Sequence, residues 1–162
     1  MDAHDFIARY ADIYEHSPWV AERVAPLVTE GDDTEQLAML MADCVDNASM
    51  EQQLELIRAH PDLAGRAQIA GELTAESTVE QASAGLDRCS PEEFERFQRL
   101  NEAYRDKFDI PFVMAVRGSN RSQILDAFAA RLENDYDLEF ETALAEIHKI
   151  ARLRLDAMGA KE

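Results

Sequence analysis

The residues of this sequence best suited to moving a proton are His60, fixed before Pro61, with Glu80 further on and Arg152 and Arg154 near the C-terminal end. An imidazole whose ordinary pKa is about 6.5 gains or loses a proton at neutral pH, as a general acid or base must. A carboxylate beside it would raise that pKa and orient the ring. A guanidinium presents a planar fork of donors to the oxygens of an anionic molecule. Each of these residues also has a structural explanation. His60 stands where a helix must stop, Glu80 follows Ser77 in capping-box spacing, and arginine is common near helix C-termini. His4, His16 and His148 fall at no metal-ligand spacing and read as structural or solvent-facing, so no metal site is expected.

The elements that must hold these groups are helical. Ser49 and Gln52 form a capping pair that opens a helix with Met50, Leu54 and Ile57 on one face. Pro61 disfavours the α region at His60, so the helix ends there, and its C-terminal end favours the protonated imidazole. Upstream, Phe6, Ile7, Tyr10, Ile13 and Tyr14 predict a helix over Asp5 to Glu15. Ser17-Pro18 opens a second helix to Leu27, and a third runs from Thr34 to Ala48 along Leu37, Leu40, Met41 and Val45. Met39, Met41 and Met50 read as core filling.

Beyond Pro61 the pattern predicts a short helical piece over Leu63 to Ile69 and another over Ser77 to Leu86. Ser90-Pro91 opens a helix to about Lys107, with Phe94, Phe97, Leu100, Ala103 and Tyr104 inward. Asn120 and Gln123 cap a helix to Leu132. A last helix, from about Leu138 to Met158, buries Phe140, Leu144, Ile147, Ala151, Leu155 and Met158. Arg154 falls at the edge of that stripe and Arg152 off it. The exception is 109–118, where Pro111 breaks a helix and aromatic and β-branched residues favour extended chain. The fold class expected is all-α: one compact multi-helix domain over residues 1–162, with one extended non-helical segment around 109–118.

Composition narrows the function. Sixteen basic residues against thirty-three acidic ones give a net charge of −17, and Lys107, Lys149 and Lys161 are the only lysines. A chain this acidic repels phosphate backbones, which excludes nucleic acid as a partner. No apolar run approaches a membrane span, the N-terminal residues lack a signal peptide's basic start, and the C-terminal residues are no peroxisomal address. Cys44 and Cys89, without CxxC spacing, read as free thiols of a reducing compartment. A cytoplasmic enzyme or binding protein without membrane contact is the expectation.

Several stretches, in order, resemble the OHCU decarboxylase family, which converts 2-oxo-4-hydroxy-4-carboxy-5-ureidoimidazoline to S-allantoin at the end of the route from urate. They are Glu15-His16-Ser17-Pro18-Trp19, His60-Pro61-Asp62-Leu63-Ala64-Gly65, Ser77-Thr78-Val79-Glu80-Gln81, Leu100-Asn101-Glu102-Ala103-Tyr104, Pro111-Phe112-Val113-Met114-Ala115-Val116-Arg117-Gly118 and Ile150-Ala151-Arg152-Leu153-Arg154-Leu155. Asp109-Ile110-Pro111 departs from the glycine-aromatic-proline form common in that family.

The resemblance implies a cofactor-free decarboxylase. The substrate is a small ring bearing a carboxylate and a hydroxyl on one carbon beside a C=N, which can absorb the electrons left when carbon dioxide departs. It implies His60, Glu80 and Arg154 as catalytic residues and Arg152 as a supporting one. Pro61, Ser77, Thr78, Val79, Glu80 and Gln81 would line the substrate, with main-chain groups of Phe112, Val113, Met114, Ala115 and Val116. It also implies a homodimer. The rival from another class is an acidic helical interaction module on the same fold, which would have no use for His60, Glu80 and Arg154 together.

The excess of acid over lysine points to a protein adapted to molar salt, where the Debye length shrinks to about 3 Å and self-repulsion is screened. The melting temperature should therefore rise from low to molar KCl; a flat or falling series would refute the adaptation.

Overall fold

The computed structural model describes residues 2–29, 31–64 and 73–160, and among the described residues the secondary structure is helical, as expected, with no strand. The described residues form eight α-helices: α1 (Ala3–Tyr10), α2 (Trp19–Val24), α3 (Thr34–Asp46), α4 (Met50–Arg58), α5 (Ala75–Ser83), α6 (Pro91–Phe108), α7 (Arg121–Leu132) and α8 (Tyr136–Ala160). The chain forms two compact units, 1–60 with 147–162, and 61–146. No helix is long and apolar enough to cross a membrane, among the described residues.

In the first unit α1 stops at Tyr10, short of the expected Glu15. Ile13, Tyr14 and Glu15 are all buried. Three consecutive side chains of a helix fan over some 200°, too wide for one buried stripe. The chain instead turns, with Ile13 N–H donating to the Tyr10 carbonyl, Ser17 N–H to that of Tyr14, and His16 in the left-handed region (φ 47°). Ser17 does not cap α2. Pro18 occupies that position, and the Ser17 hydroxyl donates to the Glu15 carbonyl at 2.9 Å. A 3₁₀ turn, Ala25–Leu27, completes the second helical segment where it was expected to end.

Asp33 with Gln36 and Ser49 with Gln52 form complete capping boxes at the starts of α3 and α4. The face expected of α4 shifts: Leu56 and Ile57 are buried, Leu54 is half-buried, and Met50, in the first turn, is 71% exposed. Met39 is exposed as well, because it lies two residues from both buried Leu37 and buried Met41 and so points the other way. Of the three methionines expected inside, Met41 alone fills the core. From α8, Ile147, Ala151 and Leu155 are buried and Met158 half-buried.

In the second unit the predicted helical piece Leu63–Ile69 begins as a turn at Leu63 and Ala64 and then lies outside the described residues. α5 starts before the predicted Ser77. Thr74 is its N-cap and accepts from Ser77 N–H at 3.2 Å, so the expected Ser77–Glu80 box does not form and Glu80 sits a turn inside the helix. Thr74 is also a competent capping residue and adds the first turn. α6 opens on the predicted Ser90–Glu93 box. Its buried side is Phe97, Asn101, Tyr104 and Phe108, while Phe94 and Leu100 are half-buried and Ala103 is exposed. α7 begins on the predicted Asn120–Gln123 box. α8 begins earlier than the predicted Leu138 because Asp135 accepts from Leu138 N–H at 2.8 Å.

The segment 109–118 is non-helical, as read from sequence: 111–116 is irregular chain between a left-handed Asp109 (φ 57°) and the turn at Arg117 and Gly118. Lacking a ladder, it is held by side chains. Phe112 stacks on Phe128 with ring centroids 3.8 Å apart, and the Arg131 guanidinium lies 4.3 Å over the Phe112 ring. Arg131 Nη1 donates to the Val113 carbonyl at 2.6 Å, and its Nη2 pairs at 2.8 Å with Glu139. Glu139 is fully buried and also accepts from Tyr104 at 2.6 Å and Asn134 at 2.9 Å. Burial opposes its charge, but the Arg131, Tyr104 and Asn134 donors outweigh it and hold the carboxyl below the ordinary carboxylate range.

Candidate active site

His60 gets its setting from the end of α4. The last carbonyls of a helix lack intrahelical partners. Here Glu55 O accepts from Ala59 N–H, Ile57 O accepts from His60 N–H, and Leu56 O lies 2.9 Å from His60 Nδ1. A carbonyl can only accept, so in the neutral ring Nδ1 carries the hydrogen and Nε2 keeps its lone pair. The imidazole is buried. Burial pushes its pKa down to about 4. The Leu56 carbonyl and the Glu15 carboxylate pull the other way, while Arg154 and His16 push it lower. The helix end does favour the charged ring, as expected, but desolvation exceeds it. His60 is therefore a neutral base at physiological pH, not a standing imidazolium.

The carboxylate acting on His60 in its own unit is Glu15, which was not singled out from the sequence. Glu15 pairs with Arg154 Nη2 at 2.7 Å, with side chains 1% and 6% exposed. Arg154 Nη1 also donates to the main-chain carbonyls of Asp12 at 3.1 Å and Ile13 at 3.4 Å. A buried charge needs a partner, and each of these two supplies the other's. Arg154 is the buried arginine of its pair, in line with its place at the edge of the apolar stripe and with the family resemblance. Arg152 is exposed and bonds Asp156 one turn on, at 3.1 Å. The signal for Glu15 was present: a carboxylate directly after Ile13-Tyr14 in a predicted apolar face, inside one of the stretches that carry the family resemblance.

The other predicted residues belong to the second unit, Pro61 opening it directly after His60. On α5, Ser77 and Gln81 are buried and Glu80 is half-buried on the same side, whereas Thr78 and Val79 are exposed. Thr78 turns its hydroxyl back to the Thr74 carbonyl at 2.9 Å. Gln81 is engaged with the chain that follows His60-Pro61: its Oε1 accepts from Ala64 N–H at 3.0 Å and its Nε2 donates to Asp62 O at 3.2 Å. Asn101 Nδ2 donates to Leu63 O and Gln98 Nε2 to Ala64 O, so three side-chain amides fix 62–64. In the extended run Phe112, Val113 and Val116 are buried and Met114 and Ala115 half-buried. Of its main-chain groups, Val113 C=O goes to Arg131, Ala115 N–H approaches Glu146 Oε1 at 3.4 Å, and Val116 C=O accepts from Ser119 N–H.

Comparison with known proteins decides the family. The OHCU decarboxylase family model matches residues 1–156. The chain belongs to the OHCU decarboxylase family. A 2-oxo-4-hydroxy-4-carboxy-5-ureidoimidazoline decarboxylase from Haloferax volcanii is 47% identical over 96% of this chain and 89% of its own. The uric acid degradation bifunctional protein PucL of Bacillus subtilis is 39% identical over 96% of this chain, which spans 30% of PucL. Among solved structures, (S)-allantoin synthase superposes with a TM-score of 0.78 at 32% identity, covering 97% of this chain and 50% of that one. In this OHCU decarboxylase family member the stretches that carried the resemblance fall, among others, on the helix end at His60, the middle of α5, the pinned run 112–116 and the buried part of α8.

A histidine held neutral in the fold makes stability fall as the pH falls. The unfolded chain binds a proton near pH 6.5 that the native chain refuses until about pH 4. Stability from this group is full above about 6.5 and declines toward 4, by up to about 1.4 kcal/mol per pH unit. Denaturant titrations at pH 7 and 4.5 should differ less for His60→Asn than for the parent; equal differences would contradict the buried neutral ring.

Proposed function

We infer that this protein decarboxylates 2-oxo-4-hydroxy-4-carboxy-5-ureidoimidazoline to S-allantoin in urate degradation, without a cofactor. The observation that carries the reading is the 47% identity, over nearly the whole of both chains, to a relative named for this reaction. The buried His60 next to the Glu15–Arg154 pair supports it, because the chemistry needs one proton-handling group and a fixed cation.

The roles follow from the chemistry of the groups. As carbon dioxide leaves, its bonding electrons move into the adjacent C=N, whose nitrogen takes a proton from solvent. The hydroxyl on the decarboxylated carbon then becomes a carbonyl. His60, neutral with Nε2 unprotonated, accepts that hydroxyl proton and returns a proton to one face of the neighbouring ring carbon, which sets the configuration. Arg154 holds substrate oxygens while shared with Glu15, so the pair presents an oriented dipole more than a bare charge. Glu80 binds the substrate, as do Pro61, Ser77, Thr78, Val79 and Gln81 of the same unit. The main chain of Phe112, Val113, Met114, Ala115 and Val116 reads the ring and ureido edges. The Arg131 and Phe128 contacts to this run explain why an unladdered segment could be rigid enough to do so.

The protein works in the cytoplasm, in keeping with the free thiols Cys44 and Cys89, and as a homodimer. Light scattering should give twice the chain mass; a single-chain mass would exclude the dimer. With freshly generated substrate in EDTA-containing buffer, the parent should form S-allantoin well above the spontaneous rate. His60→Asn should keep the fold and lose that activity by about a hundredfold or more. Stereospecific product from His60→Asn at near-parent rate would remove the histidine from the mechanism.

A further inference from the structure

Tyr14, beside Glu15 in the turn 11–17, is buried, and the decarboxylation as described makes no use of it. Its phenol oxygen lies 2.8 Å from Nδ1 of His148 on α8, and His148 Nε2 lies 3.0 Å from Oδ1 of Asp46 at the end of α3. The Tyr14 and His148 rings also meet edge to face, with centroids 5.9 Å apart. Every partner in this chain belongs to the unit that holds His60, Glu15 and Arg154.

The proton order along the chain is fixed by what each end can do. The Asp46 carboxylate accepts, so Nε2 carries a hydrogen, and when the His148 ring is neutral Nδ1 presents a lone pair. The Tyr14 hydroxyl donates to that lone pair. Burial, with Asp46 and Cys44 nearby, raises the phenol pKa and keeps the hydroxyl protonated. This is the opposite tautomer from His60, whose Nδ1 carries the hydrogen.

We propose that Asp46, His148 and Tyr14 form a positioning relay that fixes the turn 11–17 and thereby sets Glu15 and Arg154 for the reaction. The turn is no helix and contains a left-handed His16, so its path depends on where its side chains are pinned. Ile13 is buried in the core, Tyr14 reaches His148, and Glu15 reaches Arg154. The carbonyls of Asp12 and Ile13, on the same turn, receive the other end of the guanidinium. Releasing Tyr14 loosens every acceptor of Arg154 named here, since all belong to one short piece of backbone. His60 then loses the settled balance between Glu15, which favours its charged form, and Arg154 and His16, which oppose it.

The inference rests on the decarboxylase reading, and the test separates the two. Tyr14→Phe keeps the ring packing and deletes the hydroxyl; His148→Leu deletes the acceptor; His148→Asn places an oxygen where Nδ1 was. Tyr14→Phe and His148→Leu should lower kcat/KM by about tenfold or more, chiefly through a higher KM as Arg154 is displaced, since misplacement of about 1 Å can cost a hundredfold. They should also shift the acid limb of the pH profile of kcat/KM, and His148→Asn should recover most of the parent values. A fall in melting temperature with KM and pH profile unchanged would mean that the chain only stabilises the fold, and would overturn the proposal. If the parent itself fails to accelerate S-allantoin formation, the decarboxylase reading fails. The relay is then decided by the crystal structure of Tyr14→Phe: an undisturbed Glu15–Arg154 pair overturns it, and a separated pair upholds the positioning.

Discussion

Two opposite charges, Glu15 and Arg154, are taken out of water together, and the first unit is built around that fact. An ion pair with side chains 1% and 6% exposed is a poor source of net stability, because desolvation consumes most of the attraction. Its value lies in exclusivity. Either partner alone would be a buried unpaired charge, so packings that separate them are strongly disfavoured. The turn 11–17 and the end of α8 thus have one relative arrangement, and His60 experiences one electrostatic environment. A base whose proton affinity is set mainly by burial needs this constancy, since a small opening toward water would move its pKa back toward the ordinary value.

The second unit uses the same device for a different end. Glu139, fully buried, gathers Arg131, Tyr104 and Asn134, and Arg131 extends its remaining reach to the Val113 carbonyl and the Phe112 face. An extended segment without strand partners has backbone groups to spare, which suits recognition of a small polar molecule, but it also has little to keep it still. The carboxylate network supplies the stiffness that a β-ladder would otherwise give. Gln81, Gln98 and Asn101 do comparable work on 62–64, holding the chain just past His60-Pro61 by amide hydrogen bonds.

Much of this was legible in the sequence because it is written in local signals. Capping pairs located the starts of α4, α6 and α7, and Pro61 and Pro111 marked where helix had to yield. Arg154 was recognisable as the inward arginine from its spacing to Ala151 and Met158. What escaped was non-local. Periodicity carried the first helix on to Glu15 because Ile13 and Tyr14 are apolar, whereas they are buried against different neighbours through a turn. Thr74 and Ser77 are both able caps, and sequence alone does not say which the helix takes. Met39 and Met50 were assigned by residue type, although position on the helix decides exposure. The low pKa of His60 is a property of burial, which no single stretch of sequence displays.

The four capping boxes among the described residues differ in chemistry in a way that bears on an acidic protein. At Gln36, Gln52 and Gln123 the reply from the third helical residue is made by an uncharged amide, and at Glu93 alone by a carboxylate. Brine and acid weaken interactions that depend on formal charge, yet an amide neither titrates nor attracts counterions. Three of these four helices therefore keep the glutamine half of their starting latch in conditions that would strip the molecule's surface of its electrostatic order.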